Sequence, residues 1–107
     1  MTNLTTLASQ IHADNRAKGF WANPRPLTET TMLIVTELSE AVEEDRAGRP
    51  GVWYADNGKP EGIDIELVDA LIRLLDLLGS RGADVDELLA IKRDYNATRA
   101  PKHGKAY

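Results

Sequence analysis

The sequence predicts an all-α domain with a four-helix, bundle-like architecture. Residues 63–78, IDIELVDALIRLLDLL, are apolar almost all the way round a helix, and such a helix is normally enclosed by others. Three further segments carry apolar residues at helical spacing. No stretch alternates as a strand does, and there is no internal repeat or low-complexity tract. The 107 residues fit a single domain, 1–107. A domain this small buries about two-thirds of its unfolded surface, so its core is thin and association with another subunit is expected.

The first helix is expected over residues 3–18, with Leu4, Leu7, Ala8 and Ile11 on one face. Thr2 or Asn3 can cap it and Gly19 can stop it. The following GFWANPRP holds two prolines that break regular structure. It sets Phe20 beside Trp21, either as a plug over the core or as a stacking surface for a flat ligand. A second helix is expected from Thr28 to about Gly48, with Leu27 and Met32 as a hydrophobic staple. Ile34, Leu38, Ala41 and Val42 form its core stripe, and Glu37, Glu40 and Glu44 form a second stripe within about 60°. Residues 49–62 form a loop of 14 residues that contains Trp53 and Tyr54, long for a helical connection. The third helix spans about 61–80. The fourth starts at Asp84 with Glu87 as a capping box, carries Leu88, Leu89, Ile91 and Tyr95 on its apolar side, and ends near Arg99. Residues 100–107 form a basic tail with no core pattern.

Composition narrows the function. The absence of cysteine excludes disulfides, zinc–thiolate sites and thiol nucleophiles. The apolar runs fall short of a membrane span, and the N-terminus lacks the pattern of a signal peptide. A cytoplasmic location and no membrane partner are expected. A net charge of −4 argues against general nucleic-acid binding. The charge is nevertheless divided. Residues 37–76 hold eleven acids against four Lys or Arg, whereas residues 92–107 hold five Lys or Arg against one Asp.

In the third helix Glu66, Asp69, Arg73 and Asp76 fall within about 80° of arc. An enclosed carboxylate is costly unless it is paired or bound to a metal. Glu37-x-x-Glu40 on the second helix supplies a facing pair for Glu66-x-x-Asp69 if the two helices run antiparallel. Four oxygen donors without thiolate suit a hard cation, Mg²⁺ or Mn²⁺, that also takes substrate phosphates as ligands. The competing view of the second-helix acids is a solvated face. A di-iron site needs Glu-x-x-His, and neither His12 nor His103 lies three residues after a glutamate. There is no Walker loop around Gly58-Lys59 and no Ser-His-Asp order. Lys92, Asn96 and Arg99 recur on one helical face and, with Lys102 beyond, can bind the outer phosphates of a nucleotide. A solvated face and a frayed terminus is the other reading of these residues.

These residues resemble the MazG-like, all-α nucleoside triphosphate pyrophosphohydrolases. That family's Glu-Glu-x-x-Glu helix followed by Glu-x-x-Asp is matched here by Thr36-Glu37-Leu38-Ser39-Glu40 and Glu66-Leu67-Val68-Asp69, and KRDYNATRAPKHGKAY resembles its C-terminal end. Thr36 departs from the motif's first glutamate. The resemblance implies Mg²⁺-dependent cleavage of an NTP or dNTP between the α and β phosphates, giving the monophosphate and pyrophosphate. It implies metal binding and catalysis by Glu37, Glu40, Glu66 and Asp69, and base stacking by Trp21 and Trp53. It also implies a homodimer or homotetramer. Phosphoribosyl-ATP pyrophosphohydrolase is an alternative within the class. A non-catalytic helical interaction module, with Thr36 marking lost activity, is the alternative outside it.

Overall fold

A computed structural model describes residues 3–105. Thr2, the alternative first cap, and residues 106 and 107 of the tail lie outside them. The described residues are all-α apart from one very short hairpin. Helix α1, Leu4–Ala17, is capped by the Asn3 side chain, which accepts from the Thr6 amide. Helix α2, Leu27–Arg46, starts earlier than a Thr28 cap would place it. Pro26 takes the cap position at φ −67°, close to what its ring imposes. Its carbonyl accepts from the Glu29 and Thr30 amides. Leu27 is thereby the first helical residue, and Leu27 and Met32 both remain exposed, so the expected staple covers no core.

The long loop contains a strand pair that periodicity could not reveal, because each strand has two residues. Strand β1, Trp53–Tyr54, pairs antiparallel with β2, Pro60–Glu61. The segment before β1 is pressed against the start of α3, Ile63–Ser80. Gly62, at φ 119°, lies so close to the Gly51 carbonyl that a Cβ would overlap it, and the Asp64 amide donates to that same carbonyl. Helix α4, Val85–Ala97, has Asp84 as its cap, with the Asp84 carboxylate accepting from the Glu87 amide as the capping box requires. A short 3-10 turn, Pro101–Gly104, follows.

Helix α3 is the centre of the chain, with α1 and α2 packed along it. The bond between Arg73 and Glu37, and the small cavity that Thr30 and Leu33 line together with Leu77, show that α2 runs antiparallel to α3. The bond from His12 to Asp76 and the approach of Ala8 to Gly79 place α1 antiparallel to it as well. The α1–α3 approach depends on Gly79, where a Cβ would overlap the Ala8 carbonyl oxygen. Ala8, Leu75 and Val85 form the small core there.

Helix α4 does not lie along α2 and α3 as the fourth member of a closed bundle. It joins the start of α1, where the Leu4 and Thr5 amides and the Thr5 hydroxyl donate to the Asp86 carboxylate. Those hydrogen bonds, with the Thr5 amide first, hold the Asp86 carboxyl below the usual carboxylate range.

The apolar α3 is consequently enclosed on part of its circumference only. Among the described residues no large side chain is fully buried, and Leu71 is 50% and Val68 47% exposed. The accessible surface is 8009 Å², roughly 2,000 Å² more than a folded monomer of this mass presents. The radius of gyration is 16.5 Å, against about 13 Å for a compact chain of this length. Among the described residues, no helix is long and apolar enough to cross a membrane.

The Gly79 contact yields a test. Gly→Ala within a helix is ordinarily favourable by about 1 kcal/mol. At Gly79 the clash is with backbone, which cannot rotate away, so Gly79→Ala is expected to lower stability by about 1–3 kcal/mol in urea unfolding. A variant as stable as the parent would show that α1 and α3 are not held this closely.

Candidate functional site

The antiparallel register brings three of the four motif carboxylates together. Glu37, Glu40 and Glu66 each offer one oxygen, and these oxygens all lie within 4.8 Å of one another. The spacing of three on α2 sets Glu37 and Glu40 one turn apart on the face toward α3, and Glu66 meets them from the first turn of α3. Glu37 is 8% exposed, whereas Glu40 is exposed. Asp69 lies outside this set of three oxygens but lines a cavity with Glu37.

The crowding has an electrostatic cost. The Glu66 carboxyl is pushed up to about 7, first by burial, then by a hydrogen bond with Glu40 and its charge, and then by Glu37 and Asp69. Its Oε2 atom is buried with no hydrogen-bond partner. Asp69 is also raised, by burial and then by the Glu37 charge, with Arg73 and Lys59 opposing. Glu37 has a cationic partner, since Arg73 donates from Nε to its Oε1 at 2.9 Å.

The position of Arg73 one turn before Asp76 leaves open an Arg73–Asp76 pair at the level of sequence. The structure separates them. Arg73 reaches across to α2, and Asp76, 8% exposed, accepts from three other side chains. His12 donates from Nδ1 at 2.8 Å, Asn15 from Nδ2 at 3.0 Å, and Trp21 from Nε1 at 3.0 Å to both oxygens. The His12 ring meets Trp21 edge-on with centroids 5.0 Å apart.

A cavity of about 300 Å³ lies between these two groups of residues. Glu37, Asp69, Arg73 and Asp76 form its polar wall. Asn15, Phe20, Arg25 and Ile72 complete it. Trp21 stands behind this wall, tied to Asp76, while Phe20 is 53% exposed at the cavity.

The remaining predicted ligand-binding residues are elsewhere in this chain. Trp53 donates to Glu44 Oε1 at 2.6 Å, and the Arg49 guanidinium lies 4.9 Å from its ring centroid. Arg49 also pairs with Glu44. The third acid of the α2 stripe thus anchors the loop, not the carboxylate cluster. The Lys92 ammonium and the Arg99 guanidinium lie over the Tyr95 ring, 5.2 and 5.5 Å from its centroid. Asn96 Oδ1 is buried without a hydrogen-bond partner. Lys102 is in the 3-10 turn. None of Trp53, Lys92, Asn96, Arg99 or Lys102 lines the cavity. Thr36 is exposed and donates its hydroxyl back to the Leu33 carbonyl, away from the cluster. Sequence reasoning missed Arg25 and Asn15 as cavity residues, which no spacing rule links to α3. The cross-helix role of Arg73 had a signal in its place on the arc of Glu66 and Asp69.

The cluster makes stability depend on pH with a defined sign. A carboxyl raised from 4.5 to about 7 keeps its proton in the folded state where the unfolded chain releases it. The stability it contributes is full below 4.5 and is lost as pH rises through about 7. Glu66→Gln, melted in EDTA, is expected to exceed the parent in Tm at pH 8 by more than at pH 5. Equal differences at both values would contradict the crowded, partly buried site.

No family model, curated protein or solved structure matches the chain.

Proposed function

We propose that the protein is a Mg²⁺-dependent, MazG-like nucleoside triphosphate pyrophosphohydrolase that acts on the cytoplasmic nucleotide pool. The observation that carries this reading is the convergence of Glu37, Glu40 and Glu66 within 4.8 Å, with an unpartnered buried oxygen on Glu66. Side chains this close, all oxygen donors, fit a hard divalent cation such as Mg²⁺, or Mn²⁺. A cation would also offset the burial, and after it the neighbouring acids, that raise Glu66, and would give its Oε2 a partner. The donor set therefore fits the group that the sequence motif implies.

In this reading Glu37, Glu40 and Glu66 hold the metal. When bound, the ion supplies activation of the attacking water and neutralisation of charge on the departing pyrophosphate. Asp69, outside the three-oxygen set and raised in pKa, orients the water and accepts its proton. An oxygen–phosphorus bond forms at the α-phosphorus as its bond to the bridging α–β oxygen breaks. The products are the nucleoside monophosphate and pyrophosphate. Phe20, at the cavity, is placed to stack on the base, and Trp21, fixed by Asp76, backs it.

The oligomer belongs to the same proposal. The excess exposed surface of roughly 2,000 Å² per chain is of the size that obligate subunit interfaces bury. Lys92, Asn96, Arg99 and Lys102 do not line their own chain's cavity, and α4 of a second copy is the means of bringing them to it. A dimer or tetramer is therefore expected in sedimentation, and a monomer at micromolar concentration would remove this part of the reading.

The enzymatic reading is tested by incubating the protein with Mg²⁺ and a panel of NTPs and dNTPs, phosphoribosyl-ATP included, and assaying pyrophosphate. Release is expected from at least one, and Glu40→Gln should reduce it by about a hundredfold, as loss of groups at a metal centre does. Folded protein that releases none, while Mg²⁺ gives no calorimetric signal, would favour the non-catalytic helical module instead.

A further inference from the structure

We propose that Arg73 and Arg25 form the phosphate-binding edge of the cavity, and that Arg73 is the cation which Mg²⁺ displaces from Glu37. The inference rests on the metal-dependent reading above and assigns the residues that meet the ligand's anionic part.

A phosphate chain entering this cavity meets Glu37, Asp69 and Asp76 in its wall, with Glu40 and Glu66 adjoining Glu37. It needs fixed positive charge there besides the ion. Arg25 and Arg73 are the cationic side chains that line the cavity, and the α4 cations do not. A guanidinium offers five donors in a planar fork suited to phosphate oxygens.

The present engagement of Arg73 is light. It holds Glu37 through Nε, its side chain is 42% exposed, and a pair of that kind is readily exchanged. Of the two acids one turn away on its own helix, Asp76 is closed to it, because His12, Asn15 and Trp21 occupy its oxygens, and Asp69 feels its charge without forming an ion pair with it. Once a metal takes Glu37, Arg73 loses its hydrogen-bonded partner and keeps only the longer-range attraction of Asp69. Its fork is then available to the cavity. Arg25 is held even less firmly, 3.9 Å from an exposed Glu29. Before metal binds, Arg73 therefore neutralises Glu37. Afterwards it serves the phosphate.

The test uses the full chain, calorimetry, and two probes that require no knowledge of the base, MgCl₂ alone and inorganic pyrophosphate in saturating Mg²⁺. Arg73→Gln removes both the competitor for Glu37 and the ligand for phosphate, so its two effects have opposite signs. Affinity for Mg²⁺ alone should rise about two- to fivefold, and affinity for pyrophosphate should fall about ten- to a hundredfold. Arg73→Lys should recover part of the pyrophosphate affinity. Arg25→Gln should weaken pyrophosphate and leave Mg²⁺ unchanged. Unaltered pyrophosphate affinity in folded Arg73→Gln would overturn the proposal and leave a structural ion pair. A parent that binds both probes but cleaves no nucleotide would refute the hydrolase while these variants still decide the role of Arg73. A folded parent that binds neither probe overturns both.

Discussion

Three carboxylates with oxygens within 4.8 Å repel one another, and the α2–α3 interface is arranged around that repulsion. Each acid is accommodated differently. Glu37, the most buried, has the Arg73 guanidinium at 2.9 Å. Glu40 remains exposed to solvent. Glu66, half-buried and without a cationic partner, is pushed up to about 7 by burial first and then by Glu40, Glu37 and Asp69. A chain selected only for stability would place apolar residues here, since replacing buried charge by well-packed hydrophobic groups is often neutral or favourable. The proposed metal site would give a reason for retaining the cluster at the α2–α3 interface despite that cost.

A second acid organises the opposite end of the cavity by the reverse principle. Asp76 is as buried as Glu37 but fully hydrogen-bonded, by donors from α1 and from the loop after it. It fixes Trp21 and thus the loop that carries Phe20 and Arg25. Because those donors use its oxygens, it does not compete for Arg73. The division of roles between Glu37 and Asp76 is what leaves one arginine poised at the border between the carboxylate cluster and the cavity.

The same economy of core explains the exposed faces. Ala8, Ala41 and Ala70 let helices approach closely but bury little apolar area, and Leu75 and Val85 are the larger buried members. Hydrophobic stabilisation scales with area removed from water. The apolar residues of α3 and α4 left in solvent are therefore the largest reserve of stabilisation the chain has, available to contact with another surface. The attachment of α4 through Asp86 at the start of α1, and not along α2 and α3, is what keeps that reserve open.

Much of this was legible in the residues themselves. Apolar periodicity located all four helices, because a period of 3.6 is a local property of the chain. The caps at Asn3 and Asp84 were legible for the same reason. So was the facing of Glu37 and Glu40 toward Glu66, since one antiparallel crossing follows from three-residue spacings on consecutive helices. What the sequence could not determine were choices between partners far apart in the chain. Arg73 has acids within one turn on both sides, and only the lateral placement of α2 gives it to Glu37. Trp21 and Trp53 read alike as loop aromatics, yet one is tied to Asp76 beside the cavity and the other to Glu44 away from it. The direction of α4 was equally undetermined, because its amphipathic face fits a bundle of its own chain or another's. The carboxylates that converge were thus set by sequence spacing, and the residues that surround them were decided by tertiary packing, where bonds such as that from His12 to Asp76 span 64 positions.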